Sequence, residues 1–401
     1  MAQACAWLAP PFDELRVTPK FETATLRIVV TVKHNYLSTP LKLFEMNRII
    51  KMLISIVLIL AGIAALYVGG NMLYGTLTDY KPAPSESLEI KNPVSAQPTD
   101  SVFTFFNWNI GYSALGDQED FFFDGGKLVR PSKERVEENM KGITAAIAAN
   151  PADFILIQEI DVSSKRSHYI DELDAIVKVL PAYSFCYAKN YLVNYVPAPL
   201  NRPWNAYGKV DAGLSSFSKY QPVEATRYSL PGEFGWPKKV FWLDRCLLLF
   251  RYNLPNGKQL VVINQHLEAY DEGGIVKKQE MSFMKDLLLK EYEKGNYVIV
   301  GGDWNQCPPD FDYQHFMKDT DSSYVQLNVA SDYIPGWTWA FDSSTPTNRK
   351  LAAPYEPGKT FTTLIDFYLV SPNVKVLAVK GINLDFKHSD HQPVMMRVGL
   401  D

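Results

Sequence analysis

The stretch Tyr297-Val298-Ile299-Val300-Gly301-Gly302-Asp303-Trp304-Asn305 runs four β-favouring apolar residues into Gly-Gly, then an acid and an amide. An apolar run of that length, stopped by glycines, reads as a buried strand with polar groups at its end. The same form recurs upstream. Phe106-Asn107-Trp108-Asn109-Ile110-Gly111 closes a run that begins at Val102, Ile157-Gln158-Glu159-Ile160-Asp161 closes one from Phe154, and Asn264-Gln265-His266-Leu267 closes one from Leu260. Near the end, Ile365-Asp366-Phe367-Tyr368 sits inside an apolar run, and Ser389-Asp390-His391-Gln392-Pro393 leads into another from Val394.

Further strand-like runs begin at Tyr183 and Cys246, and helical spacing appears between some of them. Val136, Met140, Ile143 and Ile147 share one helical face, with Ser132 after Pro131 as the N-cap and Asn150-Pro151 as the stop. A second helix is predicted from Ile275 to Tyr292. No repeat of solenoid or propeller period is present. Strands outnumber helices, and several follow one another from Asp211 to Asn264 without a helix between, which argues against a purely alternating parallel sheet. The predicted class is α/β (α+β): a four-layer sandwich of two mixed β-sheets flanked by helices, preceded by one transmembrane helix.

The chain has 401 residues, 47% hydrophobic and 21% charged, which excludes a disordered, collagenous or disulfide-miniprotein chain. Lys plus Arg total 40 against 44 Asp plus Glu, a net charge of −4, so a protein tracking nucleic acid chiefly by phosphate neutralisation is disfavoured. Cys5, Cys186, Cys246 and Cys307 lack zinc-knuckle spacing. Among the last three, one disulfide and three buried thiols both stay open.

From Met52 to Thr78 no residue is charged, and Met52–Val68 is apolar apart from Ser55 and Gly62. With Ile49 and Ile50 this makes the ~20 residues that cross hydrocarbon. The Gly69-Gly70-Asn71-Met72 exit differs from the small-residue site of a cleaved signal, so a retained anchor over 49–74 is expected. Lys42, Arg48 and Lys51 precede it, which places the N-terminus in the cytoplasm and the larger part outside. Segment 1–48 is then cytoplasmic, and Met46-Asn47-Arg48 suggests that 1–45 is a start-site artefact. Residues 75–100 hold four prolines after Lys81 and read as an extended linker. The remainder, 101–401, is a mildly acidic domain.

Each polar strand end alone has an ordinary structural explanation: a turn, an acid facing solvent, a hydrogen-bonded histidine. Their joint presence and order resemble the endonuclease/exonuclease/phosphatase superfamily, with its DNase I-like fold, over nearly all of Ser101 to Asp401; Gly-Asp-Trp-Asn and Ser-Asp-His are its specific signatures here. The resemblance implies a metal-dependent phosphoesterase. It implies that Asp303 orients and deprotonates the attacking water, with Asn305 beside it as a donor to the phosphoryl group. His391 would contact the scissile phosphate, with Asp366 holding its ring, and His266 would be a second phosphate donor. Glu159, Asn109 and Asp390 would form the metal shell, with Mg²⁺ as the ion and Mn²⁺ as its alternative; oxygen donors suit such hard cations. Gly111 stands where the apurinic-site endonuclease branch has an Asp, which disfavours abasic-site repair.

Arg245 is a candidate for bracing the substrate phosphate, with a structural salt bridge as the other reading. Phe121–Lys127 and Tyr191–Trp204 are expected as long aromatic loops that stack a nucleobase, meet an acyl surface, or pack as lids. The substrate class stays open among lipid headgroups, nucleic acid and small phosphate esters. A nuclease acting outside the cytoplasm and a catalytically inactive phosphate-binding module are the alternatives to a membrane-anchored hydrolase. No protein partner is expected.

Overall fold

The computed structural model describes residues 48–271, 273–312, 315–316 and 327–401. Among the described residues, Asn71–Asp401 forms one compact unit and Arg48–Gly70 belongs to a second. The expected cytoplasmic segment, with Lys42 and Cys5, lies outside the described residues apart from Arg48.

Among the described residues, one helix, α1 (Arg48–Leu77), is long and apolar enough to cross a membrane. Its apolar side chains are exposed, Leu58 at 66% and Leu66 at 77%, as a core helix's would not be. In chain order there follow β1 (Ser85–Ser87), β2 (Val102–Asn109), α2 (Lys133–Ala149), β3 (Phe154–Asp161), α3 (Glu172–Val179), β4 (Ser184–Val196), β5 (Gly208–Ser218), β6 (Glu224–Ser229), β7 (Cys246–Asn253) and β8 (Gln259–His266). Then come α4 (Ile275–Glu293), β9 (Tyr297–Asp303), β10 (Thr338–Ala340), β11 (Asn348–Arg349), β12 (Thr362–Thr363), β13 (Asp366–Val370), β14 (Val374–Gly381) and β15 (Val394–Leu400).

Two mixed sheets result, one ordered β1-β6-β7-β8-β9-β13-β10 and the other β14-β15-β2-β3-β5-β4. Each has one parallel pair near its middle, β2/β3 and β8/β9, and each pair is joined through a helix, α2 or α4. All other pairings are antiparallel. Antiparallel neighbours need only turns, whereas a parallel pair needs a crossover, which is why helices appear at those two places.

Side chains alternate across each strand, and the sequence supplies both faces. Phe103, Phe105, Phe154, Leu156, Val262, Ile299 and Tyr368 fill the space between the sheets. Phe106, Trp108, Ile155 and Ile157 point the other way, against Met140, Ile143 and Ile147 of α2 and Ile176 of α3. Leu247, Val261, Ile263, Val298 and Val300 likewise meet Met284 and Leu288 of α4. Each such burial is worth about 1.5–3 kcal/mol. Ser132 caps α2 as expected, accepting the Arg135 N–H at 3.3 Å.

Some readings change. Residues 81–100, expected as a tether, lie along the domain: β1 pairs with β6, Lys91 bridges Phe185, and Leu88 and Ile90 pack on the inter-sheet core. Tyr191–Val196 is the end of β4 and no loop, because its backbone pairs with β5. α3, an eight-residue helix capped by Asp171, has too short an apolar pattern to be seen in the sequence. Cys186 and Cys246 are buried free thiols, and Cys307 is buried with its Sγ 3.3 Å from Thr363 Oγ1.

Candidate active site

The inward series of several strands changes chemistry toward one end. β2 runs Phe103, Phe105, Asn107, Asn109; β8 runs Leu260, Val262, Asn264, His266; β9 runs Tyr297, Ile299, Gly301, Asp303. β13 is antiparallel to β9, so its first residue, Asp366, pairs with Asp303, and in β8/β9 His266 also pairs with Asp303. Apolar packing thus gives way to amides, then to acids and imidazoles.

The amides form a floor that ties the sheets together. Gln158 Nε2 donates to Asn107 Oδ1 at 2.8 Å and Asn264 Oδ1 at 2.7 Å. Asn264 donates in turn to the Ile157 and Ser215 carbonyls, and Asn107 to that of Gly302. Each of the three amides thus has a partner in another strand, and among the described residues only Gln158 Oε1 of this layer is left without one.

Above it, Asn109 Nδ2 donates across the two sheets to Asp303 Oδ2 at 3.0 Å and within its own sheet to Glu159 Oε1 at 3.2 Å. Strict alternation would turn Glu159 outward. A register shift between Ile157 and Ile160 and a φ of 54° at Glu159 re-aim it inward. Asn305 also has positive φ, 48°, and donates its N–H to Asp303 Oδ1 at 2.9 Å. Such backbone conformations are costly for residues with side chains and concentrate at functional sites.

His266 Nε2 lies 3.5 Å from Asp303 Oδ2 and 3.8 Å from Glu159 Oε1. Burial, followed by the charges of Arg245 and His391, holds its pKa well below the usual value, so it is a neutral imidazole. Among the described residues its Nδ1 has no partner, and a proton on Nε2 would face the acids. His391 is the opposite case. Its Nδ1 meets Asp366 Oδ2 at 2.8 Å, and its Nε2 lies 3.7 Å from Asp303 Oδ2 and 3.9 Å from Asp390 Oδ2. Burial opposes its charge, but Asp366, Asp390 and Asp303 together raise its pKa well above normal. Asp366 is pushed up to about 6 and Asp390 to about 7, burial outweighing the attraction of His391 in each.

Seven of the nine expected residues therefore converge: Asn109, Glu159, His266, Asp303, Asp366, Asp390 and His391. Asn305 joins them through its backbone, while its amide donates to the Leu267 carbonyl at 2.8 Å instead of the mouth. Arg245 Nε lies 3.3 Å from Glu268 Oε2, an ion pair that does not involve these seven. Phe121, Phe122 and Phe123 pack on one another, Tyr207 and Trp242, which is the lid reading of that loop.

Positions not foreseen support the set. Thr347 Oγ1 accepts the Asp366 N–H at 3.0 Å, and the Asn348 amide lies 3.0 Å from His391 Nε2. Ser389 Oγ donates to the Asn109 carbonyl at 2.9 Å and accepts the His391 N–H at 3.1 Å. Arg349, buried, donates to the carbonyls of Leu115, Gly116 and Glu119, holding the loop after Asn109. Lys277 of α4 donates to the Asn305 carbonyl at 2.7 Å.

Among solved structures, the endonuclease/exonuclease/phosphatase from Beutenbergia cavernae DSM 12333 is similar at 19% identity and a TM-score of 0.49, over 75% of this chain and 72% of that one. The endonuclease/exonuclease/phosphatase from Bacteroides vulgatus has 15% identity and a TM-score of 0.45, over 75% of this chain and all (100%) of the other. The human Nocturnin catalytic domain with bound sulfate anion has 16% identity and a TM-score of 0.46, over 80% and 100%. No curated protein matches the chain. Residues 106–391 match the Endonuclease/Exonuclease/phosphatase family. With most of its length so matched, the chain belongs to that family of metal-dependent enzymes that hydrolyse phosphate ester bonds.

Proposed function

We propose that the chain is a membrane-anchored phosphoesterase that hydrolyses a phosphodiester or phosphomonoester by in-line attack of water, with Mg²⁺ as its ion and Mn²⁺ as the alternative. The observation that carries this reading is the cross-sheet meeting of Asn109, Glu159, Asp303 and the His391–Asp366 pair at one end of the strands.

The donor set fits a hard divalent ion. Glu159 keeps 24% of its side chain exposed, and its charge helps burial to raise Asp390, so a cation is favoured between these acids. Glu159, Asn109 and Asp390 would hold it. Asp303, Asp366 and His391 bring their ligand-capable atoms within 4.8 Å of one another. There, however, Asp366 Oδ2 and His391 Nδ1 are engaged with each other, which suits proton handling better than ligation. A bound Mg²⁺ supplies neutralisation of charge on the phosphoryl oxygens.

Asp303 accepts the proton of the attacking water, its carboxylate fixed by the Asn305 N–H and the Asn109 amide. A carboxylate of pKa ~4 facing water of pKa ~15.7 leaves a gap of about 16 kcal/mol, so donors to the developing charge must close much of it. His391 contacts the phosphoryl group with its Nε2 edge while Asp366 fixes the ring through Nδ1. Neutral His266 donates from Nε2 without adding charge.

The proposed layout keeps 1–48 in the cytoplasm, 49–74 in the membrane and 101–401 outside, with 75–100 between; protease added outside intact cells is then expected to digest the domain. For the chemistry, hydrolysis of a nitrophenyl phosphodiester is expected to stop with EDTA and return with Mg²⁺. Asp303→Asn should lower kcat about 10²–10⁴-fold. Wild-type turnover in that variant would remove Asp303 from the reaction.

A further inference from the structure

A cavity of about 330 Å³ lies between the segment that follows α1, the stretch from β6 to β7, and Glu268. None of Asn109, Glu159, Asp303, Asp366 or His391 lines it. Its size is at the small end for ligand sites, enough for a headgroup but not a whole lipid.

Three of its cations already face acids: Lys81 and Asp79 at 4.0 Å, Lys239 and Glu233 at 3.3 Å, Arg245 and Glu268 at 3.3 Å. Asp244 is left over, its carboxylate without a hydrogen-bond or ion-pair partner among the described residues. Burial, with the nearby charge of Asp79 and Glu233, raises its pKa to about 7 against the pull of Arg227. Next to it, Arg245 is only 7% exposed, and among the described residues its Nη1 has no acceptor. An unpaired buried donor is unfavourable until an oxygen meets it. The cavity thus lacks one cation and one anionic oxygen, at adjacent residues. Phe234 and Trp242 on its wall already carry the Lys238 ammonium, 3.3 and 4.1 Å from their ring centroids.

Its place in the chain identifies the source. Asp79 follows the end of α1 by two residues. The Trp236 indole donates to Thr76 Oγ1 at 3.1 Å in the last turn of that helix and is 59% exposed, an interfacial aromatic beside Lys238 and Lys239. Phe241 lies against Gly75, where a Cβ would come within 2.8 Å of its ring.

We propose that this cavity seats a zwitterionic phospholipid headgroup, its amine at Asp244 and its phosphate at Arg245 Nη1. The site rests on the reading of α1 as an anchor and not on hydrolysis, so it is tested with EDTA present. Calorimetric titration of the full-length protein in maltoside detergent compares dihexanoyl phosphatidylethanolamine, dihexanoyl phosphatidylglycerol and soluble phosphoethanolamine. The ethanolamine lipid should bind at one site, at least tenfold tighter than either of the others. Asp244→Asn should weaken it at least tenfold with an unchanged melting temperature, and Asp244→Lys, which supplies an ammonium from the chain itself, should abolish it. Equal binding of the glycerol lipid, or full affinity in Asp244→Asn, overturns the proposal; phosphoethanolamine binding as tightly as the lipid overturns the membrane source.

Discussion

The Ser389 hydroxyl joins the end of β2 to the turn that carries Asp390 and His391, through the Asn109 carbonyl and the His391 N–H. Ser389→Ala removes both bonds. About 1–3 kcal/mol of stability should go with them, measured by denaturant unfolding. The His391 ring loses one of its positioning contacts, so kcat should fall about tenfold with KM little changed; an unchanged kcat would mean that Asp366 alone orients the ring. At this scale the sequence was readable where residue type and order carry chemistry, as at Asp303 and His391. It was silent at Thr347 and Asn348. Thr347 precedes β11 and Asn348 opens it, a two-residue strand too short to show a period, and only the packing of distant strands decides that they meet Asp366 and His391.

At the scale of elements, the strand ends were legible because apolar alternation stops where the inward side chains turn polar. Glu159 shows the limit. Its identity stood out, but period two points it away, and only the bulge between Ile157 and Ile160 brings it in. β1 was missed for a related reason: Ser-Glu-Ser has no apolar signal, and the open edge of β6 recruits it. The Gly-Gly of β9 has a steric cause as well. Gly302 has φ 148°, and a Cβ there would run into the Gln265 carbonyl of the neighbouring strand. Gly302→Ala should therefore cost about 1–3 kcal/mol and lower activity through Asp303 next to it, as read by melting temperature and turnover together.

On the molecular scale, α4 turns Lys277 and Glu280 into the buried charge cluster around Arg245 and Glu268. Burial pushes Glu280 up to about 7, against the Glu268 N–H that it accepts and the charge of Arg245. An acid whose folded pKa exceeds its unfolded value lends stability that is complete below the unfolded value, here 4.5, and is lost as pH rises through about 7. Glu280→Gln keeps an acceptor for the Glu268 N–H and removes that titration. Urea unfolding at pH 5 and pH 8 should show a loss for the wild type larger by a few kcal/mol, on the order of the shift, than for the variant. Equal losses would mean that Glu280 stays ionised when buried.

Because the reacting groups of the proposed mechanism come from two separately hydrogen-bonded laminae, the catalyst would exist only along their seam. A slide of one lamina over the other by a single residue pitch would part Asn109 from Asp303 while leaving every ladder intact. On warming, turnover should accordingly disappear before the far-ultraviolet signature of the sheets does.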